Sequence, residues 1–417
     1  MSAKICIIAP GYIASTPRVF READALSDAG FDVRVVCSQG NLEDIRRFDR
    51  ETTAHRTWRW DAVRWSNTRP DERRLYYRSG IRHRLAQAAP KALQRRLPVA
   101  ERGEGRVFPE LASLAQKERA DIYIGHYPVG LAAARRAARV HGAKLGYDIE
   151  DLYAEIRPDA PEWRAEKDRI VTIERAHAPY CDYLTAASAP MAEEFARRYA
   201  TRIPLAVHNC HPWRERETLG RAPQDRQDVK KLSLYWYSQT IGLDRGLQDV
   251  IAAAGLLGGG VEIHLRGFAS ADVRETLQRA AAEHGVGGDL FFHEPVPPDE
   301  LLTRAAEHDV GLALETTASL SRQLSVTNKL FLFLTAGLAV VASDLPGQRS
   351  VLDSCPGAAK MYVPGDVGWL ARHLTDFVRE PSMLASARRQ ALTAAHDRWN
   401  WEMEGARLVD AVRQLTR

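Results

Sequence analysis

Short apolar runs alternate along this chain with longer stretches whose apolar positions recur every three or four residues. The first such unit is compact. "KICIIAP" reads as a strand and "GYIAST" as a loop. Pro17 then suits a first helical position, and "RVFREADALSDA" makes a helix that Gly30 closes before the next strand, "FDVRVVCS". Strand, helix and strand in that order predict a right-handed crossover and a parallel sheet. Further units follow: "ADIYIGHY" with helix "GLAAARRAARVHG", "AKLGYDIED" ending in acids, "APYCDYLTAAS" with helix "APMAEEFARRY", and "PLAVHNCHP". A polar stretch, 214–231, carries Gly, Pro and many charges and reads as a connection between domains. The pattern then restarts. "LSLYWYS", "VEIHLRG", "DLFFHEPV" and "DVGLALE" are strands, with helices "RGLQDVIAAAGLL", "SADVRETLQRAAAEHG" and "PDELLTRAAEH" between them. "TNKLFLFLTAGLAVVASDLPG" follows as helix, Gly337, buried strand and turn. A helical region closes the chain from about residue 386. The periodicity therefore predicts an α/β protein with two doubly wound domains in tandem.

Length and composition agree: 417 residues, 45% hydrophobic and 27% charged, suit two or three domains with their own cores. A net charge of +4 gives no argument for nucleic acid. Cys6, Cys37, Cys181, Cys210 and Cys355 show no metal spacing, which suggests a reducing cytosol. "MSAKICIIAP" reads as a strand rather than a signal peptide, and the apolar run Leu330–Ala342 is too short to span a bilayer. The expected location is cytoplasmic, with peripheral attachment to the inner face of the membrane as an option. That option comes from residues 69–106, where eleven Lys and Arg stand against four acids, with Leu75, Tyr76, Tyr77, Ile81, Leu85, Leu93 and Leu97 among them. Such a segment reads either as a solvated helical insert or as a surface for an anionic membrane or acidic partner.

The candidate chemistry lies where helices begin and strands end, the edge at which parallel sheets bind ligands. Lys329 falls in the first turn of its helix, where the helix dipole disfavours a cation by a few tenths of a kcal/mol unless an anion intervenes. Arg245 follows Asp244, read as a helix cap, and Gly242 and Gly246 allow close approach of a ligand. Arg266 and Gly267 end the next strand. Three loops thus bring Arg245, Arg266 and Lys329 to one edge, where a diphosphate is the fitting ligand. Asn328, Ser343 and Asp344 should face the same edge. The first loop lacks G-x-G-x-x-G, and no G-K-[ST] loop occurs, so neither a nicotinamide cofactor nor a P-loop nucleotide site is expected.

These segments together resemble the retaining GT-B glycosyltransferases of the family-four type over nearly the whole chain. "STPRVFREADALSDAGFDVRVV" resembles their first helix and second strand. "ADIYIGHY" with "GAKLGYDIEDLYAE" resembles segments usually written H-x-H-D and Y-D-x-H-E. "TNKLFLFLTAGLAVVASDLPG" resembles N-K-L-F-E-Y-x-x-x-G-x-P-V-V-A-S-D. The resemblance implies two Rossmann-like domains facing a central cleft: an acceptor domain over 1–213 with the basic insert 69–106, a linker 214–231, and a nucleotide-sugar domain over 232–385. It also implies that the C-terminal region 386–417 crosses back onto the first domain. The implied activity is sugar transfer with retention, in cell-surface polysaccharide or glycoconjugate synthesis, from a nucleotide-diphosphate sugar to a glycan, lipid-linked or small-molecule acceptor, without a metal or other cofactor. The implied catalytic set is His126, Arg245, Lys329 and Glu315. The donor set is Gln239, Gly242, Arg266, Gly267, Thr327 and Asn328, and the acceptor set Arg18, Asp148, Glu150 and Asp151.

The chain also departs from that family's pattern. Leu324 and Leu332 stand in the registers of two family glutamates, the second of which binds the donor ribose. Glu150 replaces a His, and Ala339 a Pro. Glu315, at the end of "DVGLALE", is the nearest acid to take the ribose role. Two other classes stay open at this point: a catalytically weak GT-B subunit that binds a glycan, and a nucleotide-sugar epimerase.

Overall fold

A computed structural model describes residues 2–219 and 231–416. The chain divides into two compact units, Met1–Val207 together with Gly405–Arg417, and His208–Glu404. The expected connection 214–231 lies for the most part outside the described residues. Its start belongs to a helix, Trp213–Glu217.

In the first unit seven strands form one parallel sheet: β1 (Lys4–Ile8), β2 (Asp32–Gln39), β3 (Arg59–Arg64), β4 (Ile122–His126), β5 (Lys144–Ile149), β6 (Tyr183–Ala186) and β7 (Leu205–Ala206). Their order is β3-β2-β1-β4-β5-β6-β7, so the winding reverses between β1 and β4. Ile5, Ile7 and Ile8 of β1 are fully buried, as befits a central strand covered on both faces. Helix Pro17–Asp28 starts at its proline as expected and turns Val19, Ala23 and Leu26 inward. Strand β3 and helix Glu43–Thr53 carry too few apolar residues in period to be seen in the sequence.

The second unit repeats the plan with β8 (Leu232–Thr240), β9 (Val261–Phe268), β10 (Leu290–His293), β11 (Val310–Ala313), β12 (Ala339–Ser343) and β13 (Ala359–Tyr362), in the order β10-β9-β8-β11-β12-β13. Alternate residues of one strand enter opposite cores. Leu234, Trp236, Leu312 and Val341 pack on one face, and Tyr235, Ala313, Val340 and Ala342 on the other with Phe331 and Phe333. The winding reverses here between β8 and β11.

The C-terminal region divides between the two units. Helix Pro381–Asp397 buries Ala387, Ala391 and Ala395 and packs on helix Asn328–Ala336 of the second unit. Of the region 386–417, only Gly405–Arg417 belongs to the first unit, and it is reached along helix Trp401–Leu415. Small alanines let the earlier helix lie close to its neighbour, so the second unit keeps it. Among the described residues no helix is long and apolar enough to cross a membrane.

Candidate functional site

Parallel sheets of this order open a crevice where the winding reverses, at the carboxyl ends of the strands. In each unit some of the polar residues singled out above collect at that position.

In the first unit, β4 ends at His126 and a helix, Tyr127–His141, begins at the next residue. Tyr127 adopts φ 61°, the left-handed region that a bulky side chain rarely occupies. So abrupt a turn brings backbone against backbone. A Cβ on Gly125 would lie 2.4 Å from the Leu131 nitrogen, and one on Gly130 would lie 2.5 Å from the Ile8 oxygen. The turn aims His126 inward, where it is wholly buried. Its Nε2 lies 2.7 Å from Glu22 Oε2 and its Nδ1 3.4 Å from Asp148 Oδ2. Asp148 in turn accepts bonds from Arg18 Nε at 2.5 Å and Nη2 at 2.7 Å, and from the Thr185 hydroxyl. Arg18 Nη1 donates to the Val207 carbonyl at 2.7 Å.

Burial opposes charge throughout this cluster, but the partners outweigh it at two positions. Burial works against the Asp148 carboxylate, and Arg18 with its hydrogen bond nevertheless holds the pKa below the ordinary range. Burial likewise works against His126, yet its bond to Glu22 and the Asp148 charge raise its pKa. Glu150 goes the other way. Burial lifts its pKa and Arg18 only partly offsets this. Its Oε2 is buried without a hydrogen-bond partner.

The structure thus brings Arg18, His126 and Asp148 together and engages them with one another. Arg18 and Asp148 are the two members of the expected acceptor set that lie deepest. At 2% and 1% exposure they form an internal ion pair. Glu150 and Asp151, half-buried just after β5, are the acids left at the edge. The sequence reading missed Glu22 and Tyr127. Glu22 had a signal: it falls on the apolar stripe of its helix, between Val19 and Leu26, where a carboxylate needs a buried partner.

In the second unit the edge is strongly cationic. Lys329, in the first turn of helix Asn328–Ala336, is 9% exposed. Among the described residues its one hydrogen bond goes to the Thr327 hydroxyl at 3.3 Å. Glu315 Oε1 is 3.8 Å away, and the Trp236 ring centroid 5.2 Å. Burial lowers the Lys329 pKa; Glu315 opposes this, while Arg245 and Arg322 add to it. Those electrostatic couplings place three cations and one buried acid in one neighbourhood. Glu315 is fixed by its backbone, which exchanges bonds of 2.9 and 2.7 Å with the Ser343 hydroxyl.

Asp244 does not cap the neighbouring helix. That helix, Leu247–Leu257, has Gly246 at its N-cap with φ 72°, and Asp244 stands too far ahead of it. The Asp244 carboxylate instead accepts from Arg322 Nη2 at 2.7 Å, and Arg322 Nη1 donates to the Asp244 carbonyl at 2.9 Å. Arg245 Nε, 3.6 Å from Asp244 Oδ1, is buried with no hydrogen-bond partner. Neither this helix nor Asn328–Ala336 has a side-chain cap, so their first-turn amides keep their pull on an anion. Arg322, on the short helix Leu320–Leu324, is the cation the sequence reading missed.

The remaining expected residues separate. Arg266 lies within β9, buried and bonded to the Tyr235 hydroxyl at 3.1 Å and the Glu294 carbonyl at 2.9 Å, so it braces its own unit. Gly267, with φ 148°, serves close packing: a Cβ there would lie 2.2 Å from the Ser238 oxygen. Gln239 and Asn328 are exposed, and Gly242 sits against Asp244. Asp344 pairs with Arg349. Leu332 is fully buried in the core, which explains why a carboxylate is absent from that register.

No protein-family model matches the chain, and no curated protein matches it. Solved structures do match over full length. Sucrose-phosphate synthase from Thermosynechococcus elongatus superposes with a TM-score of 0.69 at 12% identity, covering 99% of each chain. Anabaena HepE in complex with UDP gives 0.68 at 12% identity over 99% of this chain and 100% of its own, and HepE was also solved with UDP-glucose. A glycosyltransferase from Rickettsia africae gives 0.68 at 10% identity over 100% and 99%. The strand order, the two winding reversals and these full-length superpositions establish that the chain has the GT-B glycosyltransferase fold.

Proposed function

We propose that the chain transfers a sugar from a nucleoside-diphosphate sugar to a glycan, lipid-linked or small-molecule acceptor with retention, in the synthesis of cell-surface polysaccharide or glycoconjugate. The observation that carries this reading is Lys329. A buried ammonium with one long hydrogen bond, at an uncapped helix start and electrostatically coupled to Arg245 and Arg322, is costly unless an anion joins it. A diphosphate has the charge and the acceptor oxygens for all of these donors. Its departure as a leaving group would be stabilised by groups already in place, without reorganisation at the moment of bond breaking. HepE, of the same fold, binds UDP-glucose.

In this reading Arg245 and Lys329 hold the diphosphate in place of a metal, and Glu315 keeps Lys329 charged and oriented. Glu150 and Asp151 supply the polar edge toward the acceptor, and the Arg18–Asp148–His126 network keeps that edge in place. A second reading, a GT-B subunit that binds without transfer, is favoured by the complete burial of His126, the residue the resemblance assigns to the reacting sugar. Proton NMR of the protein with a panel of nucleotide sugars separates the two. The transfer reading expects one donor to be consumed, with the anomeric configuration of the donor in the first product formed. Binding without consumption of any donor supports the second reading.

A further inference from the structure

Helix Pro70–Gln87 is turned inside out. Its buried positions are Glu72, Ser79, Gly80 and Ala86. The large apolar residues Tyr77, Ile81 and Leu85 point outward at 60%, 60% and 68% exposure. Polar contacts hold its inner face. Glu72 accepts two bonds from Arg46 at 2.9 and 2.7 Å, Ser79 accepts one from Arg106 at 3.2 Å, and Arg82 pairs with Glu110 at 2.6 Å. A helix attached in this way gains little within its unit from three protruding hydrophobes, although the Tyr77 ring meets that of its neighbour Tyr76 edge-on at 5.4 Å. They are spaced four residues apart, so they form one stripe.

The same face is one-sided in charge. From Arg73 to Ala100 the sequence has eight Lys and Arg and no Asp or Glu. Arg78, Arg82 and Arg95 are spent on Glu110 and Asp168. Arg74, Arg84, Lys91 and Arg96 are exposed and make no ion pair among the described residues. Helical spacing puts Arg74 and Arg84 beside the stripe, three residues from Tyr77 and Ile81. Leu93 and Leu97, 43% and 38% exposed, continue the apolar character beyond the helix.

We propose that this face docks on the surface of an anionic lipid bilayer, with Tyr77, Ile81 and Leu85 entering the interface and Arg74 and Arg84 meeting lipid phosphates. The Tyr77, Ile81 and Leu85 side chains protrude, which suits a soft medium better than a shaped protein partner. Arginines flanking a tyrosine and aliphatic residues are the composition that settles at a headgroup layer, their long stems covering apolar surface while the charge stays outside it. Arg95, another cation of the basic segment, is drawn away from lipid by its bond to Asp168. The docking face belongs to the first unit alone and does not depend on the transfer reading.

The test is co-sedimentation of the full chain with phosphatidylcholine vesicles made with and without phosphatidylglycerol. The protein should sediment only with the anionic vesicles, and less as salt is raised. Ile81→Ser/Leu85→Ser and, separately, Arg74→Glu/Arg84→Glu should each lower partitioning about tenfold or more, with the thermal midpoint unchanged because all four residues are exposed. Failure of the wild type to sediment with anionic vesicles, or equal partitioning of both variants and wild type, would overturn the proposal. A wild-type dimer dissolved by Ile81→Ser/Leu85→Ser, without vesicle binding, would overturn it in favour of a second copy as the occupant.

Discussion

Lys329 Nζ stands 3.8 Å from Glu315 Oε1, near enough to feel its charge and too far for a hydrogen bond. The pair is set by two strand ends and one helix start, since Ser343 fixes the Glu315 backbone and Thr327 opens the helix that carries Lys329. A ligand that enters between Lys329 and Arg245 therefore finds the cations already placed.

This arrangement makes nucleotide affinity depend on alkaline pH. Burial, with Arg245 and Arg322 nearby, lowers the Lys329 pKa from that of an ordinary lysine, and a bound diphosphate favours the charged form. Binding is thus expected to take up a proton as pH approaches the lowered pKa, and affinity is expected to fall with rising pH at a lower pH than a free lysine would titrate. Calorimetry of UDP binding in buffers of different ionisation enthalpy measures the uptake. Lys329→Arg should remove the pH dependence.

The Arg18–Asp148 pair makes a prediction about stability. With both partners almost inaccessible, Asp148→Asn leaves the Arg18 guanidinium buried without its carboxylate, at a cost of about 3–5 kcal/mol. Denaturant unfolding of the variant should show the loss. A destabilisation under about 1 kcal/mol would mean that solvent reaches Arg18.

A buried carboxyl bonded to two tyrosines sets a pH trend. Burial pushes Glu174 up to about 7, although the Tyr199 and Tyr147 hydroxyls both donate to it and pull the other way. Glu104 is raised to about 7 by burial as well. A folded carboxyl that holds its proton more tightly than the unfolded chain does makes stability fall as pH rises, here from about 4.5 to about 7, and level off above. Each group contributes up to about 3 kcal/mol over that window. Glu174→Gln should flatten part of the slope when the thermal midpoint is followed against pH.

The fold was legible in the sequence wherever apolar periodicity was strong, and the site was legible only in part. Gly337 ends its helix at φ 75°, and β12 follows at once, as the run "TAGLAVVAS" implies. Strand β3 stayed hidden because "RWDAVR" lies near the sheet edge and carries charges at both ends. Lys329 could be singled out because a cation at a helix start is an electrostatic misfit. Arg266 was singled out only by its place at a strand end, and its role depends on the Tyr235 hydroxyl, thirty-one residues away. Likewise nothing local distinguishes an arginine that faces an acceptor from one, like Arg18, that reaches from its helix to Asp148 on β5. Residue type was readable, whereas the choice between ligand and internal partner was fixed by the tertiary fold.

The central claim is that the second unit holds a nucleoside diphosphate on Arg245 and Lys329. Calorimetric titration of the wild type and of Arg245→Ala/Lys329→Ala with UDP, dTDP, GDP and ADP tests it most directly. The account predicts that one of these binds the wild type and that the double variant loses about 2–5 kcal/mol of that affinity while remaining folded. Binding of none of the four, or equal binding by the double variant, would contradict it.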